Sequence, residues 1–267
     1  MSPLLFVIGM EYLSRLMTRV SSSSLFNFHP SCRKLSLNHL AFADDLMLFS
    51  KGDLQSASLL WQGLNTFAAA SGLCANPSKS AIHLAGILTV LKTMIAQELL
   101  LPLGSLPFKY LGVPLSSKRL SNNDCDMLVD KMTSRIRVWY TRRLSYAARL
   151  QLVNSVLMSI STYWCMIFLL PKCVIVKVNV ICRAFLWHAD TNNTSPGNVN
   201  WLKLCSGKKE GGLDIRNLET WNIVAIGKLS WHICHMPESL WVRWIHGVYT
   251  KGAIGYGSTL HLLLVGL

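Results

Sequence analysis

The stretch HLAFADDLMLF, residues 39 to 49, places two adjacent aspartates, Asp44 and Asp45, inside an otherwise apolar run. The apolar residues on both sides predict two short strands with the aspartate pair at the turn between them. Two neighbouring carboxylates repel each other, and a divalent cation such as Mg²⁺, which prefers carboxylate oxygens, removes that repulsion. The pattern therefore indicates either a metal site at a hairpin tip or an ordinary aspartate-rich turn.

The segments around this hairpin predict further helices and strands. A helix begins near Pro3, which suits a first helical position, and a second is bounded by Asp53 as its cap and Gly72 at its end. Another helix is predicted over residues 89–100. In LPFKYLGVPLSS, residues 106–117, the prolines and the glycine predict two short extended pieces around a tight turn.

Composition and charge limit the class of protein. Of the 267 residues, 51% are hydrophobic and 15% charged, which excludes a disordered chain. The 26 Lys and Arg residues against 13 Asp and Glu residues give a net charge of +13 and indicate a polyanionic partner. From Lys131 to Ala189 there are nine basic residues and no acidic one. This run is either a solvated helix face or a surface that follows phosphates.

The cysteines and the first residues predict a reducing compartment. The eight cysteines form no C-x-x-C pair, and Met1 is followed by Ser2 and Pro3 without the basic region of a signal peptide. We therefore expect an intracellular protein of the nucleus or cytoplasm that is not secreted. The sequence WHICHMP, residues 231–237, suggests a zinc site with Cys205, although the spacing matches no standard module.

One long uncharged segment raises the alternative of a membrane protein. Residues 150–171, LQLVNSVLMSISTYWCMIFLLP, are long enough to span a bilayer once. The polar side chains of Gln151 and Asn154 fit a buried helix better than one that faces lipid. We expect a packed helix here and no membrane partner, with a single-span membrane protein as the alternative.

Several motifs in order carry a resemblance to a known family. The segments SPLLFVIGMEYLSRLM, LAFADDLMLFS, SGLCANPSKS and LPFKYLGVPLSSKRL resemble the palm motifs of reverse transcriptases. They are similar to those of the LINE-type (non-long-terminal-repeat) retrotransposons of plants. The resemblance continues through LSYAARLQLVNSVLMSISTYW, LPK, CRAFLW, VNWLKLC and KKEGGLDIRNLETWN, to about Lys251.

The resemblance implies an α+β fold in three parts. Residues 1–117 correspond to a partial palm, a small antiparallel sheet with helices that carries the metal-binding hairpin and the primer-grip segment. Residues 118–251 correspond to a mainly helical, basic thumb and connection region. Residues 252–267, GAIGYGSTLHLLLVGL, match nothing in the family and form a separate tail.

The resemblance also assigns roles to individual residues of an RNA-directed DNA polymerase. Asp44 and Asp45 correspond to the pair that binds Mg²⁺ or Mn²⁺ for nucleotidyl transfer. Lys79 corresponds to a lysine that assists the leaving pyrophosphate, with an ordinary surface lysine ahead of a strand as the alternative. The segment that grips the primer end comprises Phe108, Lys109, Tyr110, Leu111 and Gly112. The thumb arginines that hold the RNA template and DNA primer are Arg135, Arg137, Arg142, Arg143 and Arg149.

One catalytic ligand of the family has no counterpart in these 267 residues. Family members use a third carboxylate from a strand ahead of the SPLLF helix, and the only acid ahead of Asp44 is Glu11, inside that predicted helix. The fingers that bind the incoming nucleotide have no counterpart either. We therefore expect the isolated chain to be inactive and to bind its metal only when the site is completed. We also expect the partial sheet to leave strand edges open, because its central strands are missing. The alternative is a non-catalytic remnant that binds nucleic acid; the sequence names no protein partner.

Overall fold

A computed structural model describes residues 3–115, 120–140, 144–189, 199–250 and 262–266, the last five as backbone only. The helices are α1 Pro3–Ser21, α2 Leu54–Ser71, α3 Thr89–Leu99, α4 Asp126–Tyr140, α5 Tyr146–Leu152, α6 Met158–Cys165, α7 Lys172–His188, α8 Trp201–Leu204, α9 Leu218–His235 and α10 Leu240–Ile245. The strands are β1 His39–Phe42, β2 Asp45–Phe49, β3 Ala81–His83, β4 Phe108–Tyr110, β5 Val113–Leu115 and β6 Leu262–Gly266. This is the α+β composition that the sequence predicts.

The chain packs as two units. Unit 1 comprises residues 1–106 and 236–267, and unit 2 comprises residues 107–235. The domain boundary predicted near residue 117 stays a prediction. Each unit has its own apolar core.

The sheet of unit 1 combines strands that are far apart in sequence. Its described strands lie in the order β1-β2-β6-β3, and each neighbouring pair is antiparallel. The sequence predicts that the partial sheet leaves edges open, yet residues 262–266, within the tail that does not match the family, pair with both β2 and β3. The physical reason is that an apolar five-residue strand satisfies the backbone groups of both edges at once.

Helices α1, α2 and α3 cover one face of this sheet. Leu46 and Leu48 of β2 and Ile82 of β3 join the same buried cluster as helix residues such as Leu13 and Phe67. The predicted cap of α2 is confirmed, because a side-chain oxygen of Asp53 accepts a hydrogen bond from the Ser56 N–H at 2.8 Å. These helices hold β2 firmly, and β2 carries the candidate site.

The first turns of α1 leave a row of apolar side chains in solvent. Leu4, Leu5, Val7 and Ile8 are all exposed, whereas Leu13 and Met17 further along the helix are fully buried. The part of α1 from Met10 onward therefore packs against the core of unit 1. The first turns of α1 present an exposed apolar surface.

Unit 2 is built mainly from helices. The uncharged segment 150–171 lies in α5, a π-helical turn Val153–Leu157, and α6, and it ends in an irregular stretch before α7. Its side chains Leu157, Met158 and Trp164 are buried in the core of unit 2. This agrees with the predicted packed helix, and no described helix is both long and apolar enough to cross a membrane.

Candidate functional site

The strands β1 and β2 form a hairpin with a two-residue loop, Ala43 and Asp44. The register pairs Phe42 with Asp45 at the loop end of the ladder. Ala43 has a φ of 50°, and a positive φ at the first loop position is a feature of type II′ hairpin turns. Asp44 therefore lies in the loop, and Asp45 is the first residue of β2. The sequence predicts both aspartates in the turn between the strands, so the position of Asp45 differs by one residue.

The two carboxylates have environments that suit a cation. Asp44 is exposed and Asp45 half-buried, whereas Leu46 and Leu48 behind them are buried. Among the described residues, neither carboxylate accepts a hydrogen bond or forms an ion pair. Two adjacent anions without a protein cation beside them fit a divalent metal, whose hard charge prefers carboxylate oxygens. Within the described part of the chain, no three His, Cys, Asp or Glu residues group as a metal site.

A buried asparagine that the sequence pattern does not predict anchors the base of this hairpin to helix α1. Asn38 donates from Nδ2 to the backbone oxygen of Met17 on α1 at 2.6 Å, and its Oδ1 lies 2.6 Å from Nδ1 of His39. Burial lowers the pKa of His39, so a neutral imidazole is favoured there. The available signal was a polar Asn-His pair at the start of a predicted strand, where an apolar residue is usual.

Lys79 lies at the same end of the sheet as the aspartates. The strand β6 is antiparallel to both β2 and β3, and Leu264 pairs with Met47 on one side and with Ala81 on the other. Ala81 is therefore level with Met47, at a lateral distance of about 9.5 Å, or two strand spacings. Lys79 precedes Ala81 in an exposed turn, so this lysine comes near the level of Asp45.

The predicted primer-grip segment is a second hairpin, in unit 2. Strands β4 and β5 pair antiparallel around the loop Leu111–Gly112, as the sequence predicts. Leu111 and Gly112 have φ values of 48° and 81°, the pair of positive angles that a type I′ turn requires. Tyr163 on α6 donates from its hydroxyl to the backbone oxygen of Leu111 at 2.8 Å. Lys109 is exposed, while Phe108 and Tyr110 are half-buried.

The predicted nucleic-acid arginines fall into three groups. Arg135 and Arg137 are exposed on α4 and available for a ligand. Arg142 and Arg143 lie outside the described residues. Arg149 on α5 is half-buried, and its Nη1 donates to the backbone oxygen of Phe185 near the end of α7 at 3.4 Å. A cation suits the carbonyl end of a helix, so Arg149 has a structural role in addition to any phosphate contact.

The histidines of the proposed zinc cluster lie at the end of α9. The rings of Trp231 and His235 stack with centroids 4.5 Å apart, and Nδ1 of His235 lies 3.0 Å from the backbone oxygen of Trp231. These contacts account for the position of the His235 ring at the end of α9. The described residues contain no metal-holding group of three ligands at this position.

The first part of the chain matches a known family model. Residues 1–115 match the family model described as reverse transcriptase (RNA-dependent DNA polymerase). This range contains the hairpin with Asp44 and Asp45, the turn with Lys79 and the β4–β5 hairpin. The match supports a reverse transcriptase relationship for the segment in which the candidate site lies.

Two Arabidopsis thaliana proteins are similar to the chain. A putative ribonuclease H protein is 31% identical over 165 residues, which cover 58% of this chain and 27% of that protein. An uncharacterized mitochondrial protein is 31% identical over 93 residues, which cover 34% of this chain and 60% of that protein. The chain thus spans less than two thirds of the length of either relative. Both relatives are plant proteins, which agrees with a plant origin for the chain.

Proposed function

We propose that the chain is the palm and thumb portion of an RNA-directed DNA polymerase from a LINE-type (non-long-terminal-repeat) retrotransposon. The observation that carries the proposal is the hairpin tip with two adjacent carboxylates, inside the segment matched by the reverse transcriptase family, which form no ion pair with any described residue. The proposed substrates are an RNA template, a DNA primer and a deoxynucleoside triphosphate. The proposed compartment is the nucleus or the cytoplasm.

In this proposal Asp44 and Asp45 hold Mg²⁺ or Mn²⁺ with their carboxylate oxygens. The bound metal would lower the pKa of the primer 3′-hydroxyl and neutralise the charge of the leaving pyrophosphate. Asp45 is held by the β1–β2 ladder and Asp44 lies beside it in the two-residue loop, so the hairpin presents both carboxylates at the same end of the sheet. A third carboxylate completes the site, and the isolated 267 residues remain inactive without it.

Lys79 is proposed to act at the pyrophosphate rather than at the primer hydroxyl. Its ammonium group is a proton donor on a flexible stem, and the turn that carries it lies at the loop end of the sheet. The β4–β5 hairpin is proposed to position the primer end through Phe108, Lys109, Tyr110, Leu111 and Gly112. The exposed Lys109 offers the charge for a phosphate, and the two positive φ angles fix the loop.

Primer extension on an RNA template tests this proposal. We expect no extension by the 267 residues alone, and Mg²⁺- or Mn²⁺-dependent extension by a longer polypeptide that carries a third carboxylate on a preceding strand. Asp44→Asn should reduce that extension by at least a hundredfold, because neutralising a metal ligand removes most of the charge stabilisation. The matched control is Asp214→Asn, an exposed aspartate with a φ of 57°, which asparagine also tolerates. Extension that survives Asp44→Asn contradicts the proposal.

A further inference from the structure

One side of helix α9 is exposed along the second half of the helix. At about 100° per residue, four of its residues lie within about 60° of one another around the helix axis. These residues are Val224, Lys228, Trp231 and His235, and all four are exposed. We call them the α9 face. The opposite side of the helix, which includes Leu218 and Asn222, is buried. The α9 face therefore presents an apolar residue, a cation and two rings to solvent.

The indole of Trp231 is held in place on the α9 face. The rings of Trp231 and His235 are nearly parallel, with an interplanar angle of 11° and centroids 4.5 Å apart. Nδ1 of His235 donates to the backbone oxygen of Trp231 at 3.0 Å, since a carbonyl oxygen can only accept, and this bond fixes the imidazole. Trp231 nevertheless remains 50% exposed. A large planar surface is thus ordered in advance and still open to a ligand.

Basic residues outnumber acidic residues in the helices around the α9 face. Glu219 is the only acidic residue of α9; it lies in the first turn, and its Oε1 is 4.0 Å from Nζ of Lys172. Helices α6 and α7 pack against α9, and neither contains an aspartate or a glutamate. Lys228 precedes Trp231 by three residues, so its side chain neighbours the indole on the same face. The charge of these three helices therefore favours an anionic ligand.

An exposed ring beside a cation matches the chemistry of unpaired nucleotides. Each nucleotide offers a flat base and a phosphate, and proteins that bind single strands stack bases on aromatic side chains and place cations along the backbone. In a duplex the faces of the bases are covered by their neighbours, so an aromatic side chain stacks on a base that is unpaired and splayed out. The α9 face therefore favours a single strand over a duplex.

We propose that the α9 face binds single-stranded nucleic acid, with an unpaired base stacked on Trp231 and a phosphate beside Lys228. These residues belong to a different helix from Arg135 and Arg137 of α4, which are proposed to hold the template and primer. The site requires neither a metal nor a primer end. The proposal therefore goes beyond the polymerase reaction and does not rest on it.

Two labelled oligonucleotides with the same number of phosphates test the stacking. One is an oligothymidylate of about twelve nucleotides, and the other has the same length with abasic sites throughout, so that only the first offers bases. We expect Trp231→Ala to weaken binding of the oligothymidylate at least fivefold and to leave binding of the abasic strand unchanged. Trp231→Phe keeps a ring and should retain most of the affinity. Fluorescence anisotropy titrations measure these affinities, and Trp241→Ala, which removes a comparably exposed tryptophan from α10, is the matched control.

The substitution Lys228→Ala tests the phosphate contact. We expect it to reduce the slope of log affinity against log salt concentration by about 0.7 for both oligonucleotides, the value for one phosphate contact on a single strand. Lys51→Ala removes an exposed lysine of unit 1 and should leave the slope unchanged. An unchanged slope in Lys228→Ala would show that this lysine contacts no phosphate.

Three results would overturn the proposal. The first is that the wild-type chain does not bind the oligothymidylate at low salt. The second is that Trp231→Ala binds it as tightly as the wild type does. The third is an equal loss of affinity for the oligothymidylate and the abasic strand, because the indole would then act through packing and not through a base. These titrations use no Mg²⁺, primer or deoxynucleoside triphosphate, so failure here leaves the polymerase proposal standing.

Discussion

Asp45 is held by the ladder of β2 and Asp44 stands beside it in the hairpin loop, so one turn of chain fixes both carboxylates at the sheet end. The sequence predicts this arrangement because apolar residues flank the pair on both sides. It does not predict Asn38, whose buried amide joins the hairpin to α1. A buried hydrogen bond between distant segments depends on tertiary packing, and a sequence pattern of period two contains no information on it.

The half-buried His39 and the buried His83 make the stability of unit 1 depend on pH. Burial lowers the pKa of both His39 and His83 in the folded chain, so the unfolded chain binds more protons as the pH falls below its ordinary histidine pKa of about 6.5. Stability is therefore full above that pH and is lost as the pH decreases towards the lowered folded pKa. We expect a lower urea-unfolding midpoint at pH 5.5 than at pH 7.5. His39→Gln should reduce this difference, and the exposed His188→Gln should not.

At the scale of elements, two hairpins carry the candidate chemistry and use different loops. The β1–β2 loop has one positive φ, at Ala43, whereas the β4–β5 loop has two, at Leu111 and Gly112. Two positive φ angles are typical of a type I′ turn, whose twist matches that of the flanking strands. They also explain why glycine occupies the second loop position, Gly112. The sequence LGVP signalled a tight turn but not its type, because Leu111 adopts a positive φ that its residue type disfavours.

The conformation of Gly112 can be tested by substitution. Alanine at this position adopts the required φ of 81° only at a cost in conformational energy. Space is not the obstacle, because the only described atom within 4 Å of an added Cβ is Lys131 Nζ, at 3.8 Å. We expect Gly112→Ala to destabilise unit 2 by about 1–2 kcal/mol. The matched control is Gly207→Ala, where φ is −61° and no atom lies within 4 Å, so the free energy of unfolding should remain or rise slightly. Chemical denaturation of both variants measures the difference, and equal effects would exclude backbone strain as the cause.

Helix ends were easier to predict than sheet partners. Pro3, Asp53 and Gly72 mark helix boundaries through local chemistry, and the structure confirms α1 and α2 at these residues. The role of residues 262–266 was not predicted, because LLLVG is short and its partners lie at residues 45–49 and 81–83. Pairing of strands so distant in sequence is decided by which edges remain open after local folding.

At the scale of the whole molecule, the main feature is the excess of basic residues, which favours binding to a polyanion. The net charge of +13 is large for 267 residues, and the run from Lys131 to Ala189 contributes nine cations without an acid. On α4, Lys131 and Arg135 are four residues apart and share a face, while Arg137 lies about 200° around the helix from Arg135. The shared face of Lys131 and Arg135 is therefore the better candidate for a phosphate contact.

Salt dependence of duplex binding tests this face. We expect the affinity for an RNA–DNA duplex to fall linearly on a log–log plot against salt concentration, and Arg135→Ala to reduce the slope by about 1. Arg137→Ala should have a smaller effect, and Lys208→Ala, an exposed lysine of a short 3₁₀ turn, serves as a control of equal charge change. Fluorescence anisotropy titrations measure the slopes. The same slope for all three variants would show that α4 does not form the contact.

We propose that the carboxylate pair at the β1–β2 hairpin binds a divalent metal, and this is tested by Mn²⁺ binding to the longer polypeptide that carries a third carboxylate on a preceding strand. Electron paramagnetic resonance distinguishes free from bound Mn²⁺ during a titration of this polypeptide without substitution and with Asp44→Asn, Asp45→Asn or the control Asp214→Asn. We expect one class of sites in the unsubstituted polypeptide and the control, weakened at least tenfold in Asp44→Asn and Asp45→Asn because each loses a charged ligand. Equal Mn²⁺ binding by all four proteins would contradict this proposal.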